Sequence, residues 1–147
     1  SKKIEKFSPL INARKETLME KVTFKNLIQT SRCVVVADGY YEWAKEEKGK
    51  VPYYFTKEDD EIMFFAAIHQ NNQFCIITRE ARENINHIHH REPLIMKQSQ
   101  INNYLNIKKD AIETLNAIKT PELKFHEISK NVNNPENNDP ALIKPIN

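Results

Sequence analysis

The strongest constraint on the fold is a series of short β-prone segments between residues 32 and 78, with turn signals and no helical segment between them. β-Branched and aromatic residues fill these segments, as they fill strands. Consecutive strands joined by short turns run antiparallel, whereas parallel neighbours need long crossovers. The series therefore predicts a mainly antiparallel sheet rather than βαβ winding. The predicted strands are 32–37, 40–44, 52–56, 62–68 and 74–78, with turns at Asp38-Gly39, 58–61 and Asn71-Asn72.

The two segments 52–56 and 62–68 are predicted to pair with each other across the acidic turn between them. Helical spacing of apolar residues predicts a helix at 15–29 and two shorter helices that open at Ser99 and Asp110. The other assignments are an extended entry at 1–13, a helical turn at 79–86, strands at 94–96, 123–129 and 142–146, and a loop at 131–140. Together these elements predict an α+β fold with six or seven strands and three helices, and with a barrel-like, mainly antiparallel sheet.

The length of 147 residues predicts a single domain, and 39% hydrophobic with 29% charged residues is typical of a globular protein. No apolar run reaches the ~20 residues of a membrane span, and no signal segment opens the chain. We therefore expect a cytoplasmic protein. A net charge of +2 does not by itself indicate nucleic-acid binding, which requires a local basic surface. Only two glycines occur, which excludes a glycine-rich phosphate loop.

Two cysteines, Cys33 and Cys75, lie in apolar β-like runs. Two thiols do not form a disulfide framework, and free cysteines in such runs are typical small buried side chains. A catalytic cysteine would need a cationic and partly exposed setting, which neither run supplies.

The histidine cluster of His87, His89 and His90 is followed at once by Arg91. In an extended segment, residues 87 and 89 point to the same face and, with Glu42, could hold zinc. A partly solvated cluster in a loop is the second interpretation. The third is one catalytic imidazole next to a guanidinium that binds an anionic substrate.

A single carboxylate, Glu42, lies within a run of aromatic residues just after the Asp38-Gly39 turn. Alternation places Glu42 on one face of the strand and Trp43 on the other. Desolvation among aromatics would raise the pKa of Glu42, which suits acid–base chemistry. Glu42 could instead be an exposed glutamate on an edge strand, and Trp43 could be a core side chain. Asn12, which precedes the first predicted helix, could likewise serve only to turn or cap the chain.

Read in order, these motifs resemble the SRAP family, the SOS response-associated peptidase domain, over essentially the whole chain. The matching residues are Asn12, Ala13, Arg14 and Glu16 in the first motif, Arg32 to Trp43 in the second, Thr78 with Ile88, His89, Arg91 and Pro93 in the third, and the tail from Ser129 to Ile146. The resemblance implies a protein of the DNA-damage response that joins covalently to abasic sites in single-stranded DNA.

In the family, the nucleophile is a cysteine that becomes the first residue, by autoproteolytic exposure, and forms a thiazolidine with the abasic-site aldehyde. By similarity, Asn12 would hold that N-terminus, Glu42 would move protons at the amine and sugar, and His89 would act as general acid and base. The DNA-contacting residues implied by the resemblance are Arg14 and Arg91 for phosphates, Trp43 for stacking or wedging, and Thr78 for a polar contact. No metal or cofactor is implied, and the expected partner of a monomeric protein is single-stranded DNA, bound with strong salt dependence.

Two departures from the family bear on function. The sequence begins with Ser1 shortly before the first motif, and Cys33 and Cys75 are internal, so this chain holds the supporting residues and no nucleophile. We expect an incomplete single domain over 1–147, with an exposed apolar groove beside Asn12 and His89, that is inactive by itself. Glu92 places a negative charge next to Arg91, which we expect to weaken phosphate binding.

Three other functions stay open at this stage. The protein could be a peptidase that acts on other proteins, with Glu42 and His89 as its acid–base pair. It could be a module that binds single-stranded DNA without catalysis. It could also be a zinc hydrolase built on His87, His89 and Glu42.

Overall fold

Residues 12–146 are described in this computed structural model. Ser1 and most of the extended entry predicted at 1–13 lie outside the described residues. The strands are β1 Asn12–Arg14, β2 Arg32–Ala37, β3 Tyr40–Glu46, β4 Gly49–Lys57, β5 Met63–Gln70, β6 Gln73–Glu80, β7 Arg91–Pro93, β8 Ile95–Met96 and β9 Leu123–Glu127. The α-helices are α1 Val22–Thr30, α2 Ile101–Leu105 and α3 Ala111–Asn116. Short 3-10 helices span Lys15–Thr17, Gln98–Gln100, Lys130–Asn133 and Pro140–Ile143.

The strands form two sheets. The larger sheet has the order β1-β6-β5-β2, with β7 added to β6 and β8 added to β5. All of its pairings are antiparallel except β1 with β6, which is parallel. The smaller sheet is the antiparallel set β3-β4-β9. The α+β class with mainly antiparallel strands is confirmed, although the sheets described here stay open rather than closing into one barrel.

The chain crosses from the larger sheet to the smaller one at Gly39, between β2 and β3. A Cβ at this position would lie 2.5 Å from the carbonyl oxygen of Phe55 and 2.5 Å from the ring of Tyr54. Only glycine fits such a close approach. This crossing sets the direction of β3, the strand that carries Glu42.

Two hydrophobic cores hold the sheets. In the first, Ile28 of α1, Tyr104 of α2 and Leu18 from the turn before α1 cover the larger sheet. The second lies around Phe55, Met63 and Phe65, and it also buries Ile85 and Ile88 from the loop between β6 and β7. Burying a side chain of this size contributes roughly 1.5–3 kcal/mol. The loop before His89 is therefore held by two apolar anchors.

The predicted pairing of segments 52–56 and 62–68 is wrong. The strand β4 pairs with β3 and β9, while β5 pairs with β2, β6 and β8. Four consecutive residues of β5, 65–68, are buried, which suits a central strand flanked on both edges. The acidic turn at 58–61 connects two sheets instead of closing a hairpin.

Two further predictions are wrong, namely that Ser99 caps a helix and that residues 142–146 form a strand. Ser99 does not cap a helix, because it lies inside the 3-10 helix Gln98–Gln100, where the Gln100 side chain accepts from the Lys97 amide. The predicted strand at 142–146 is instead the 3-10 helix Pro140–Ile143 with Pro140 in its first turn, a position that proline favours.

The helix predicted at 15–29 starts only at Val22, while Asp110 caps α3 as expected by accepting from the Glu113 amide at 3.0 Å. Within residues 12–146, no helix is both long and apolar enough to cross a membrane.

Candidate active site

Glu42 occupies the free edge of β3 next to the loop that carries His89. Pro52 lies opposite Trp43 in the β3–β4 register and has no N–H, and its carbonyl oxygen accepts from the amide of Ile128, one residue past the end of β9. The amide of Trp43 therefore points away from β4. The carboxylate of Glu42 accepts that amide at 3.3 Å, which fixes one of its oxygens at the sheet edge.

The other oxygen of Glu42 faces an imidazole. The distance between Glu42 Oε2 and His89 Nδ1 is 3.8 Å, and the two side chains are 26% and 36% exposed. Burial raises the pKa of the Glu42 carboxyl above its usual range, although the nearby His89 and the Trp43 amide oppose that shift. The raised pKa agrees with the expectation from the aromatic setting, and it makes protonation of this carboxylate easier.

His89 has a ring nitrogen with two alternative partners. The Arg91 amide donates to Nδ1 at 3.2 Å, and the Arg91 carbonyl oxygen lies 3.3 Å from the same atom. In neutral His89, accepting the amide assigns the ring proton to Nε2. In protonated His89, Nδ1–H can donate to the Arg91 carbonyl or toward Glu42. The ring also stacks on His90, with centroids 4.6 Å apart.

An open groove of about 370 Å³ lies beside this pair. Its apolar wall includes Val35, Ala37, Phe65, Phe74 and Ile76, and its polar residues include Asn12, Glu42, Thr78, His89 and Arg91. We call it the apolar groove. The exposed apolar groove that we expected beside Asn12 and His89 is therefore present. Whether the domain is incomplete stays a prediction.

Arg91 is held at the groove by two partners. Its Nη2 lies 2.7 Å from the Glu16 carboxylate, and its Nε and Nη2 donate to the Thr78 hydroxyl at 3.3 and 3.1 Å. Glu16 also accepts from the Glu80 amide. Burial acts to raise the pKa of Glu16, but the Arg91 bond and the backbone amides outweigh it and lower that pKa. Thr78 thus contacts Arg91 directly and helps to fix where the guanidinium lies.

The Glu92 side chain forms its hydrogen bonds and ion pairs with Arg82 and Arg79 rather than with Arg91, although the residue lines the apolar groove. Weaker phosphate binding at Arg91 stays a prediction. Strand alternation turns the Glu92 side chain to the other face, where the residue is 1% exposed. There the carboxylate accepts from Arg82 Nε at 3.0 Å and from the Arg82 amide at 3.3 Å, and it lies 3.7 Å from Arg79 Nε. Arg82 also donates to the carbonyl of Pro121 at 3.0 Å. This buried bridge anchors the start of the His89 loop.

The remaining predicted residues lie nearby but apart from the pair. Trp43 donates from Nε1 to the Asn133 side chain at 2.7 Å and lines a neighbouring cavity rather than the apolar groove. Arg14 is exposed on β1, opposite Thr78 in register, and shares the strand face of Asn12. The groove therefore brings together Asn12, Glu42, Thr78, His89 and Arg91, but not Arg14 or Trp43.

The zinc hypothesis needed His87 and His89 on the same face of an extended segment, and the structure does not have that geometry. Residues 83–88 form turns rather than an extended segment, and the His87 ring contacts Phe125 at a centroid distance of 5.7 Å. Among residues 12–146, no group of three or more His, Cys, Asp and Glu side chains is placed to hold a metal ion.

Neither cysteine has the setting of a nucleophile. Cys33 and Cys75 are half-buried in β2 and β6 and form no disulfide within the described part of the chain. Burial raises the pKa of both thiols, so the reactive thiolate is disfavoured.

Sequence reasoning missed two residues that shape the site. Glu16 was matched to the first motif, but no role was predicted for its side chain. No role was predicted for Arg82 either. Their partners are Arg91 and Glu92, 75 and 10 residues away. No periodic pattern signals contacts of this kind, and only the charges themselves suggested that partners must exist.

The fold and the site define an α+β protein that presents a half-buried carboxylate–imidazole pair at the mouth of an apolar groove. The chain belongs to the family described as SOS response associated peptidase (SRAP), whose model matches residues 1–135. It is 30% identical to the abasic site processing protein YoqW of Bacillus subtilis, covering 92% of this chain and 66% of YoqW. It is 31% identical to the abasic site processing protein YedK of Escherichia coli, covering 94% and 68%.

More distant and structural matches agree. The abasic site processing protein HMCES of Gallus gallus is 29% identical, over 92% of this chain and 50% of HMCES. A crystal structure of a protein from Bacteroides thetaiotaomicron superposes with a TM-score of 0.79 and 28% identity, covering 91% of this chain and 65% of that one. The chain thus spans just under two thirds of the length of YoqW and of the Bacteroides protein.

Proposed function

We propose that this chain belongs to a protein that processes abasic sites in single-stranded DNA, and that it supplies the acid–base and strand-binding residues. The main support is the half-buried Glu42 carboxylate, 3.8 Å from His89 at the apolar groove. The names of YoqW, YedK and HMCES as abasic site processing proteins support the substrate.

The chemistry we propose is condensation of an α-amine with the aldehyde of the ring-opened sugar. The amine nitrogen bonds to the aldehyde carbon, and the carbonyl oxygen leaves as water after protonation. Such a step needs a neutral amine first and an acid afterwards. His89 donates the proton to the sugar oxygen, and Glu42, with its raised pKa, takes the proton that the amine releases. Asn12 holds the amine through its side-chain amide.

The covalent link is completed by a thiol that adds across the resulting C=N bond: sulfur bonds to the imine carbon, the thiol proton passes to the nitrogen, and a thiazolidine closes. We assign amine and thiol to an N-terminal cysteine of the intact protein, exposed by autoproteolysis. Cys33 and Cys75 have no free α-amine, and both thiol pKa values are raised by burial. The 147-residue chain by itself would therefore bind the strand without forming the link.

The DNA strand is held by charge and stacking. Arg91, already oriented by Thr78 and Glu16, takes a phosphate at the groove, and Arg14 takes another on the same strand face as Asn12. Trp43, with its indole N–H fixed by Asn133, offers a ring face to a base. Phosphate contacts carry no sequence information, so binding should be indifferent to sequence. We propose a cytoplasmic monomer that uses no cofactor.

The deciding experiment incubates the protein expressed from its complete gene with single-stranded DNA that carries one abasic site. We expect a protein–DNA band that survives denaturation, is lost when the N-terminal cysteine is replaced by alanine, and forms more slowly in Glu42→Gln. Glu46→Gln is the matched control, because Glu46 is an exposed carboxylate on the same strand outside both cavities. Strand binding without any such band would indicate a non-catalytic DNA-binding module. Cleavage of added peptides without a band would indicate a peptidase of proteins.

A further inference from the structure

A second cavity of about 760 Å³ adjoins the catalytic pair and shares Glu42 and His89 with the apolar groove. Its other lining residues include Trp43, Lys45, Lys50, His87, His90 and Asn133. We call it the basic cleft. The residues that line it without lining the apolar groove include no carboxylate, so its charge beyond Glu42 is set by amines and imidazoles.

The basic cleft contains two lysines whose placement opposite each other lowers the stability of the β3–β4 hairpin. Lys45 on β3 and Lys50 on β4 are directly opposite each other in the hairpin register. Like charges in this arrangement destabilise a sheet. Both residues are exposed, and none of the ion pairs formed within residues 12–146 involves either of them. The neighbouring Glu46 is opposite Gly49, so it does not lie across from either lysine.

Two lysines that are paired in the register, and that form no ion pair within residues 12–146, offer an anion two positive charges where either lysine alone would bind it weakly. Lysine ammonium groups bind phosphate as compact point charges, without the fixed geometry that arginine imposes. The adjacent Trp43 ring, tied to Asn133, adds a flat surface next to that anion. An anion beside a stacking surface is the chemistry of a nucleic-acid backbone.

We propose that Lys45 and Lys50 together bind the phosphodiester backbone of a single DNA strand in the basic cleft, on a path that leads past Glu42 and His89. This proposal rests on the proposed function, because it names where the strand lies relative to the same pair. This part of the path lies in the basic cleft and not in the apolar groove, whose wall consists of aliphatic and aromatic side chains. The strand would therefore approach the pair through the basic cleft and continue past it to the phosphate contact that we propose for Arg91 at the apolar groove.

The test measures binding of an unmodified, fluorescently labelled oligo(dT) strand to the 147-residue chain by anisotropy across a range of salt concentrations. The variant is Lys45→Gln with Lys50→Gln. The matched control is Lys48→Gln, because Lys48 lies in the turn of the same hairpin and does not line the basic cleft. Unmodified DNA is used so that covalent chemistry cannot contribute.

Each lost phosphate contact should reduce the slope of log affinity against log salt by about 0.7, so the double variant should lose about 1.4. Near 0.1 M salt, that corresponds to roughly 10–30-fold weaker binding. Lys48→Gln should leave the slope close to the wild-type value. The melting temperature of the double variant should stay equal or rise, because a repulsive pair has been removed.

Each contrary result has a definite meaning. A wild-type chain that binds no DNA overturns the strand binding on which both proposals depend. A wild-type chain that binds, together with an unchanged slope in the double variant, overturns the lysine site and leaves the proposed function standing. An equal loss in Lys48→Gln also overturns it, since the effect would then come from the charge of the whole hairpin.

Discussion

The two carboxylate contacts of the His89 loop differ in almost every physical respect. Arg82, at the start of the loop, lies 3.0 Å from the fully buried side chain of Glu92 in β7. The Arg82 backbone amide and Arg79 are also near the Glu92 oxygens. At the end of the loop, the Glu42 and His89 side chains are 26% and 36% exposed, and 3.8 Å separates them. The residues His89 and Glu92 are only three positions apart in the sequence.

One short segment thus combines a structural contact with a contact that we propose to be reactive. A buried carboxylate that accepts from several donors is costly to separate from them, so it fixes the backbone at both of its contacts. A half-exposed pair beyond hydrogen-bond distance keeps lone pairs free and can change protonation state. Rigidity at Arg82–Glu92 thus positions His89 for chemistry.

Removal of the buried Glu92 carboxylate should have the largest effect on stability. Glu92→Ala removes a fully buried carboxylate and leaves Arg82, which is 20% exposed and still donates to the Pro121 carbonyl, without its main ionic partner. This should cost about 3 kcal/mol of unfolding free energy, the lower end for breaking a buried ion pair. Urea unfolding followed by fluorescence measures this loss. The control is Glu83→Ala, an exposed carboxylate of the same loop, which should change stability by less than about 0.5 kcal/mol.

Exchanging the two charges, with Arg82→Glu and Glu92→Arg together, tests whether the pair or only its volume matters. The double variant should regain part of the lost stability, although Arg79 would now repel the new arginine. A double variant no more stable than Glu92→Ala would show that the ion pair itself does not anchor the loop.

The second prediction addresses the reactive contact. Glu42→Gln keeps the shape and the bond to the Trp43 amide but removes the proton acceptor. Formation of the covalent link by the intact protein should slow by about 100-fold, the lower end of what a general acid–base group supplies. The single-turnover rate of band formation measures it. A rate within about threefold of wild type would mean that Glu42 is not a catalytic residue.

How much the sequence alone could establish is clearest at β2 and at these charged contacts. The strand 32–37 was predicted with its observed bounds, because a β-branched run ends at Asp38-Gly39 whatever the tertiary structure. The partner strands of β4 and β5 were not predictable in this way, because either segment could pair with any strand of matching length. The motifs located five side chains of the site, whereas Arg82–Glu92 depends on how a loop folds back on β7.

The third prediction follows from the direction of the Glu42 pKa shift. A carboxyl whose pKa is raised by folding stabilises the protein while protonated, and that contribution is lost as pH rises through the folded-state pKa. Above this pH, wild type should be less stable than Glu42→Gln, because the charged carboxylate is then half-buried. Below the ordinary value of 4.5 the two should converge. Thermal unfolding of both proteins across this pH range tests the sign, and a wild type that is the more stable of the two at neutral pH would contradict it.

A third ion pair, Arg91 with Glu16, separates the effect of contact distance on stability from the effect of burial. Arg91 and Glu16 are only 2.7 Å apart, closer than Arg82 and Glu92, but the Glu16 side chain is 47% exposed. If burial decides stability, Glu16→Gln should cost no more than about 1 kcal/mol despite the shorter contact. Because folding lowers the Glu16 pKa, this contribution is present above the unfolded-state pKa and is lost as pH falls through the folded-state value. Chemical unfolding at neutral and acidic pH measures it, with the exposed Glu20→Gln as control. A loss as large as that of Glu92→Ala would show that contact distance, and not burial, separates the anchoring pair from the reactive one.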